Sequence, residues 1–103
     1  MYRGTTPTLQ FYLDFLLEDE KEVFITFVQN NKIVLEKSID EIEKSVADDG
    51  NTILSFKMTQ KETLLFDEET IEMQIRIKFE NGEAIASNIF KTYINDILRG
   101  GEI

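Results

Sequence analysis

Residues 70–80 read Thr-Ile-Glu-Met-Gln-Ile-Arg-Ile-Lys-Phe-Glu. Ile71, Met73, Ile75, Ile77 and Phe79 alternate with Glu72, Gln74, Arg76, Lys78 and Glu80. A period of two puts the apolar set on one face of a strand and the polar set on the other. Asn81-Gly82 follows at once, and both residues tolerate positive φ, so the pattern predicts a long antiparallel hairpin. Two registers compete. A two-residue loop sets Phe79 opposite Ala84 and Ile77 opposite Ala86. A three-residue loop with Gly82 as the bulge residue sets Ile77 opposite Ile85 and Met73 opposite Ile89. The bulged form is favoured because it faces large apolar groups with one another.

Beyond the hairpin the reading divides. Ile89, Phe90, Tyr93, Ile94, Ile97 and Leu98 form a helical stripe, with Lys91, Thr92, Asn95 and Asp96 on the polar side and Gly100 placed to cap it. The same residues from Glu83 to about Ile94 also supply the second hairpin arm. Their β-branched density and the need for that arm favour the strand.

Upstream, Leu9, Phe11, Leu13 and Phe15 alternate with Gln10, Tyr12 and Asp14 after Pro7. A helix over the same segment would leave Phe11 and Phe15 on its outer face, so a strand is expected. Glu18-Asp19-Glu20-Lys21 is a charged turn. Val23, Ile25 and Phe27 alternate with Phe24, Thr26 and Val28, apolar on both faces as in a central strand. Asn30-Asn31 turns the chain, and Lys32 to Lys37 returns as its partner. Ser38-Ile39-Asp40-Glu41 matches a capping box, which predicts a short helix or a single turn, with Ile39, Ile42 and Val46 on one face. Asp48-Asp49-Gly50-Asn51 is a turn, and Thr52 to Met58 a further strand. Thr59-Gln60-Lys61-Glu62 is a second capping box, opening one helical turn that ends by Leu65-Phe66. The whole adds up to one domain over residues 1–103, an all-β, immunoglobulin-like antiparallel β-sandwich of six or seven strands with one or two short helical turns.

Composition narrows function by exclusion. Twenty acidic residues against eleven basic leave a net charge of −9, which opposes binding to a nucleic-acid backbone or an anionic membrane. Cysteine and histidine are both absent, so disulfides, thiolate metal sites and the commonest general base are absent too. The start lacks the apolar run of a signal peptide, and no run of ~18 apolar residues suggests a membrane span.

Several motifs invite a chemical reading and have a plainer one. Asp48-Asp49-Gly50-Asn51 hints at calcium, but Thr52 and Leu54 spoil the alternate-ligand pattern. Glu18-Asp19-Glu20 and Asp67-Glu68-Glu69 could pair carboxylates; solvated loops explain them more simply. Leu98-Arg99-Gly100-Gly101 spells a ubiquitin-like tail, but a helix cap or free terminus suits it better. Phe11, Phe24, Phe27, Phe56, Phe66, Phe79 and Phe90 fall mostly on apolar strand faces, as a core does. No catalytic, cofactor or metal residue is expected. The exposed hairpin residues Arg76, Lys78 and Glu80 are the candidate interaction surface.

A family resemblance adds to this. Met1-Tyr2-Arg3-Gly4-Thr5-Thr6-Pro7-Thr8-Leu9, Leu54-Ser55-Phe56-Lys57-Met58-Thr59-Gln60-Lys61-Glu62-Thr63-Leu64, Ile75-Arg76, Asn81-Gly82-Glu83-Ala84, Ala86-Ser87-Asn88-Ile89 and Ile97-Leu98-Arg99-Gly100-Gly101-Glu102-Ile103 resemble segments of small phage and prophage proteins of Firmicutes. The Thr-Gln-x-x-Thr-Leu pattern at 59–64 is similar to the N-terminal β-sandwich of phage baseplate upper proteins. The chain departs from that pattern at Ser38–Val46, which reads longer and more helical, and carries no counterpart of a baseplate protein's C-terminal extension. The resemblance implies a non-enzymatic tail- or baseplate-associated assembly protein. Its partners would be other phage structural proteins or further copies of itself, in the virion or the bacterial cytoplasm during assembly. It implies no catalytic residue. The alternative is a small acidic protein that meets a host target as a DNA mimic or regulator.

Overall fold

Two antiparallel sheets face each other across a single apolar core in the computed structural model, which describes residues 1–103. The elements run β1 (Thr8–Tyr12), β2 (Glu20–Gln29), β3 (Lys32–Ser38), a 3₁₀ turn (Ile39–Glu41), β4 (Glu43–Val46), β5 (Thr52–Lys57), α1 (Gln60–Thr63), β6 (Glu69–Phe79), β7 (Ala84–Ala86) and β8 (Phe90–Ile94). One sheet has the order β1-β5-β4. The other has the order β3-β2-β6, with β7 and β8 both pairing the far side of β6. The sandwich therefore has eight strands, because 43–46 pairs and the last arm breaks in two.

Strand β2 departs from the immunoglobulin order, which would seat it between the first and fifth strands. Here it lies between β3 and β6. The cause is local. Asn30 and Asn31 take φ of 54° and 62°, a two-residue turn that sets Gln29 opposite Lys32 and leaves no slack to cross between sheets.

The hairpin that opened the sequence reading takes its three-residue loop. Gly82 has φ of 89°, Phe79 N–H donates to Glu83 O at 2.8 Å, and Ile77 lies opposite Ile85. The expected pairing of Met73 with Ile89 is corrected to Met73 with Phe90. Ser87 is the reason. Its backbone N–H donates to Ile75 O at 2.8 Å, and its Oγ accepts Ile75 N–H at 2.9 Å in place of a backbone carbonyl. The side chain takes a rung of the ladder, one residue is extruded, and every later side chain changes face. Phe90 therefore turns inward to meet the Phe11 ring at 5.9 Å, while Ile89 is left exposed. The 90–94 segment is a strand, so the helical stripe over 89–98 does not form.

Of the short helix or single turn expected after Ser38, the single turn forms, and only the shared face of Ile39, Ile42 and Val46 is corrected. Glu41 accepts from Ser38 N–H and Ser38 Oγ, each at 3.2 Å, and this closes a single turn. Ile42 is then extended, and Glu43–Val46 pairs with β5 instead. The second capping box forms as read, with Thr59 N–H donating to Glu62 at 2.9 Å and Glu62 N–H to Thr59 Oγ1 at 3.1 Å.

Thirteen apolar residues make the core, drawn from both sheets. Phe27 on β2 is its hub, with ring centroids of Phe56 at 5.8 Å and Phe66 at 6.0 Å. Buried polar groups fasten loops to it. The Gln29 amide exchanges two 2.8 Å hydrogen bonds with the backbone of Asp67, as a strand neighbour would. Thr52 Oγ1 accepts Leu17 N–H at 2.7 Å.

Lys37 is buried at the end of β3, with its ammonium 5.8 Å from the Phe56 ring centroid. It donates to Glu62 on α1 and, at 3.4 Å, to Glu41. Burial works to lower the Lys37 pKa, but the hydrogen bond and charge of Glu62, with help from Glu41, outweigh it and hold the ammonium above its ordinary value. Burial likewise works to raise Glu62, and the Lys37 and Thr59 hydrogen bonds outweigh it, leaving the carboxyl below its ordinary value. A carboxyl lowered on folding stabilises above its unfolded pKa and loses that contribution as pH falls through its folded one. An ammonium raised on folding loses its contribution as pH rises through its folded pKa. Thermal stability is thus expected to be level between the ordinary values of 4.5 and 10.5 and to fall outside them. Glu62→Gln flattens the acid limb, which a series of melts from pH 2 to 7 measures.

Candidate functional site

Three strands lie over a sheet that is wider by β7 and β8, so part of the larger sheet's inner face is left uncovered. The uncovered part is a cleft of about 480 Å³. Ile75 and Ile77 of β6 and Ile85 of β7 form its floor, the chain from Tyr12 to Phe15 forms one wall, and Phe90 closes one end. Each residue arrives there for a local reason. Ile75 and Ile77 follow from the alternation of β6, Ile85 from the three-residue loop, and Phe90 from the register step at Ser87. Tyr12, Ile85 and Phe90 remain exposed around it.

Strand β1 borders this cleft with an unpaired edge. It pairs β5 on one side only. Leu13 N–H donates to Thr52 O at 2.9 Å and Met58 N–H to Pro7 O at 2.8 Å, so the odd-numbered residues of the segment direct their backbone groups at β5. In an antiparallel ladder the alternate residues point theirs the other way. Thr8, Gln10 and Tyr12 therefore present free N–H and C=O groups along the outer edge.

That edge lacks the usual protections. From Gly4 to Leu13 no residue is charged, and from Ala84 to Phe90 none is either. The other edges differ. Edge strand β4 carries Glu43 and Lys44, and Lys44 is held by Glu20 at 2.7 Å. Strand β3 carries Lys32, Glu36 and Lys37 and is bulged where β2 steps between Phe27 and Val28. Strand β7 spans only Ala84–Ala86.

The residues singled out from the sequence lie elsewhere. Arg76 and Lys78 point outward from the larger sheet, opposite Phe24 and Glu22 respectively, and make no ion pair. They share β6 with the cleft floor but sit on its other face. Glu80 is in the hairpin loop, where its N–H donates to Asp19 O at 2.9 Å. Glu80, Glu83, Glu18 and Asp19 gather round a shallow hollow at that end. Asp48-Asp49-Gly50-Asn51 is a turn in which Asn51 N–H donates to the Asp49 carboxylate at 2.9 Å. Leu98-Arg99-Gly100-Gly101 is an exposed tail. Of the seven phenylalanines assigned to apolar strand faces, Phe27, Phe56 and Phe66 are core and Phe11, Phe24 and Phe79 are half-buried, while Phe90 stands at the cleft.

The cleft was not legible from sequence. Its only trace there is the pair of uncharged stretches, 4–13 and 84–90, in a chain where 30% of residues are charged. Comparison of the chain with protein-family models, with curated proteins and with solved structures finds no match.

Proposed function

We propose that this protein is a non-enzymatic structural or assembly module of phage or prophage origin, associated with a tail or baseplate, that acts by protein–protein contact. The observation that supports the contact is the unguarded β1 edge beside an exposed apolar cleft. Monomeric proteins seldom leave such a surface open, and where they do it commonly serves binding. The phage setting rests on the sequence resemblance. The outer-face cations Arg76 and Lys78, with Glu80 at the hairpin loop, offer a second, polar contact face to a neighbour in an assembly.

Mass spectrometry of virions and assembly intermediates purified from a producing culture tests this. A fixed copy number of the chain per particle is the expected result. Its absence from every particle and intermediate overturns the proposal. A second reading, an acidic protein that occupies a basic host site, draws on the carboxylates of Glu18, Asp19, Glu80 and Glu83 at one end of the sandwich. Binding of that kind weakens steeply with salt, whereas contact through the cleft does not.

A further inference from the structure

We infer that the β1 edge and its cleft receive an extended strand from a different polypeptide, one with apolar residues at alternate positions and without net negative charge. This rests on the assembly reading above and specifies how the contact is made. The smaller sheet has only three strands, and the place beside β1 is where a fourth would lie. A strand added there meets the free N–H and C=O groups of Thr8, Gln10 and Tyr12, which supply its main-chain hydrogen bonds. Every second side chain of that strand points down at Ile75, Ile77 and Ile85. The cleft, at about 480 Å³, falls among cavities of ~300–1,000 Å³ that bury most of a ligand. The intervening side chains continue the exposed face that carries Gln10 and Tyr12, whose hydroxyl donates to Gln10 Oε1 at 3.1 Å.

Charge selects the occupant. The wall and floor are uncharged apart from Asp14, while the whole chain carries −9. A second copy brings its own −9 and is repelled. A neutral strand is not, and one flanked by Lys or Arg is attracted. The proposal is therefore strand addition between unlike chains.

Selection of a displayed library of random dodecapeptides on the immobilised protein, followed by amide NMR with the most enriched synthetic peptide, tests this. Enriched sequences are expected to alternate apolar and polar residues and to avoid net negative charge. The peptide is expected to shift the amides of Thr8, Gln10, Tyr12 and Ile85. Gln10→Pro removes an edge donor without touching the β1–β5 ladder, since proline is tolerated where the N–H faces outward. It is expected to weaken binding at least tenfold, as is Ile85→Lys, which puts a charge in the cleft; both variants should keep the native spectrum elsewhere. No enrichment over a control protein, or enrichment without alternation, overturns the inference. So does binding that shifts Phe24, Arg76 and Lys78 instead, although the assembly reading then stands. Dimerisation of the free protein that Gln10→Pro abolishes would assign the edge to a second copy and also overturn it. Failure of the assembly reading shows separately, as absence from virions while the peptide still binds.

Discussion

Phe27→Ala is expected to destabilise the protein by about 3–5 kcal/mol, the range for truncating a fully buried aromatic. Phe27 has no exposed surface, and its ring is the point where both sheets and the loop before β6 meet, through Phe56 and Phe66. Truncation loses the transfer free energy of the ring and leaves a void that rigid strands on each side cannot close. The core around it is thin: only 17 of 103 residues are buried, in a body 47 × 30 × 21 Å. A domain with total stability of about 5–15 kcal/mol has little margin for such a loss. Urea denaturation measures it, as a lower midpoint with an unchanged slope. Phe24→Ala is the comparison, because Phe24 is only half-buried on the outer face of the same strand. It should cost distinctly less. Equal losses would mean that Phe27 is not the hub of the core.

The Lys37–Glu62 pair should give the second largest effect, and one that depends on how it is broken. Lys37→Ala removes the cation and leaves the Glu62 carboxylate, 18% exposed, without its strongest partner. The expected loss is about 2–3 kcal/mol, somewhat below the ~3–5 kcal/mol of a pair with no solvent contact. Glu62→Ala should cost more than its size suggests, since it also opens the capping box with Thr59. Replacing both partners together, as Lys37→Met with Glu62→Gln, keeps the volume and removes the buried charges. That double variant is expected within about 1 kcal/mol of the parent, so that the two changes are strongly non-additive. Chemical denaturation of Lys37→Met, Glu62→Gln and the double variant completes the cycle. Additive losses would show that the pair contributes nothing as a pair.

Much of this architecture could be read from residue order, because the deciding interactions are local. Strand β6 is amphipathic at period two over its length, a pattern that a helix cannot bury on one face. Asn30, Asn31 and Gly82 carry positive φ cheaply, which located both tight hairpins, and Gly82 also set Ile77 against Ile85. Thr59 and Glu62 cap each other across three residues, so α1 could be placed without knowing its surroundings. The segment at Ser38–Val46 was legible only in part, for a related reason. Its capping box is real, but a box closes one turn and cannot tell whether the next residues gain more from helix or from a strand partner. Strand β5 supplied that partner.

What sequence alone determined about this protein is most of its strands, its tight turns and the faces that β1, β2, β5 and β6 bury, since alternation and turn chemistry act over a few residues. Tertiary structure alone decided the register step at Ser87 and the burial of Lys37, each of which depends on groups distant along the chain. It also decided that a three-stranded sheet would lie on a wider one. The cleft beside β1 exists only through that mismatch in width, a property of two sheets together and of no single stretch of residues.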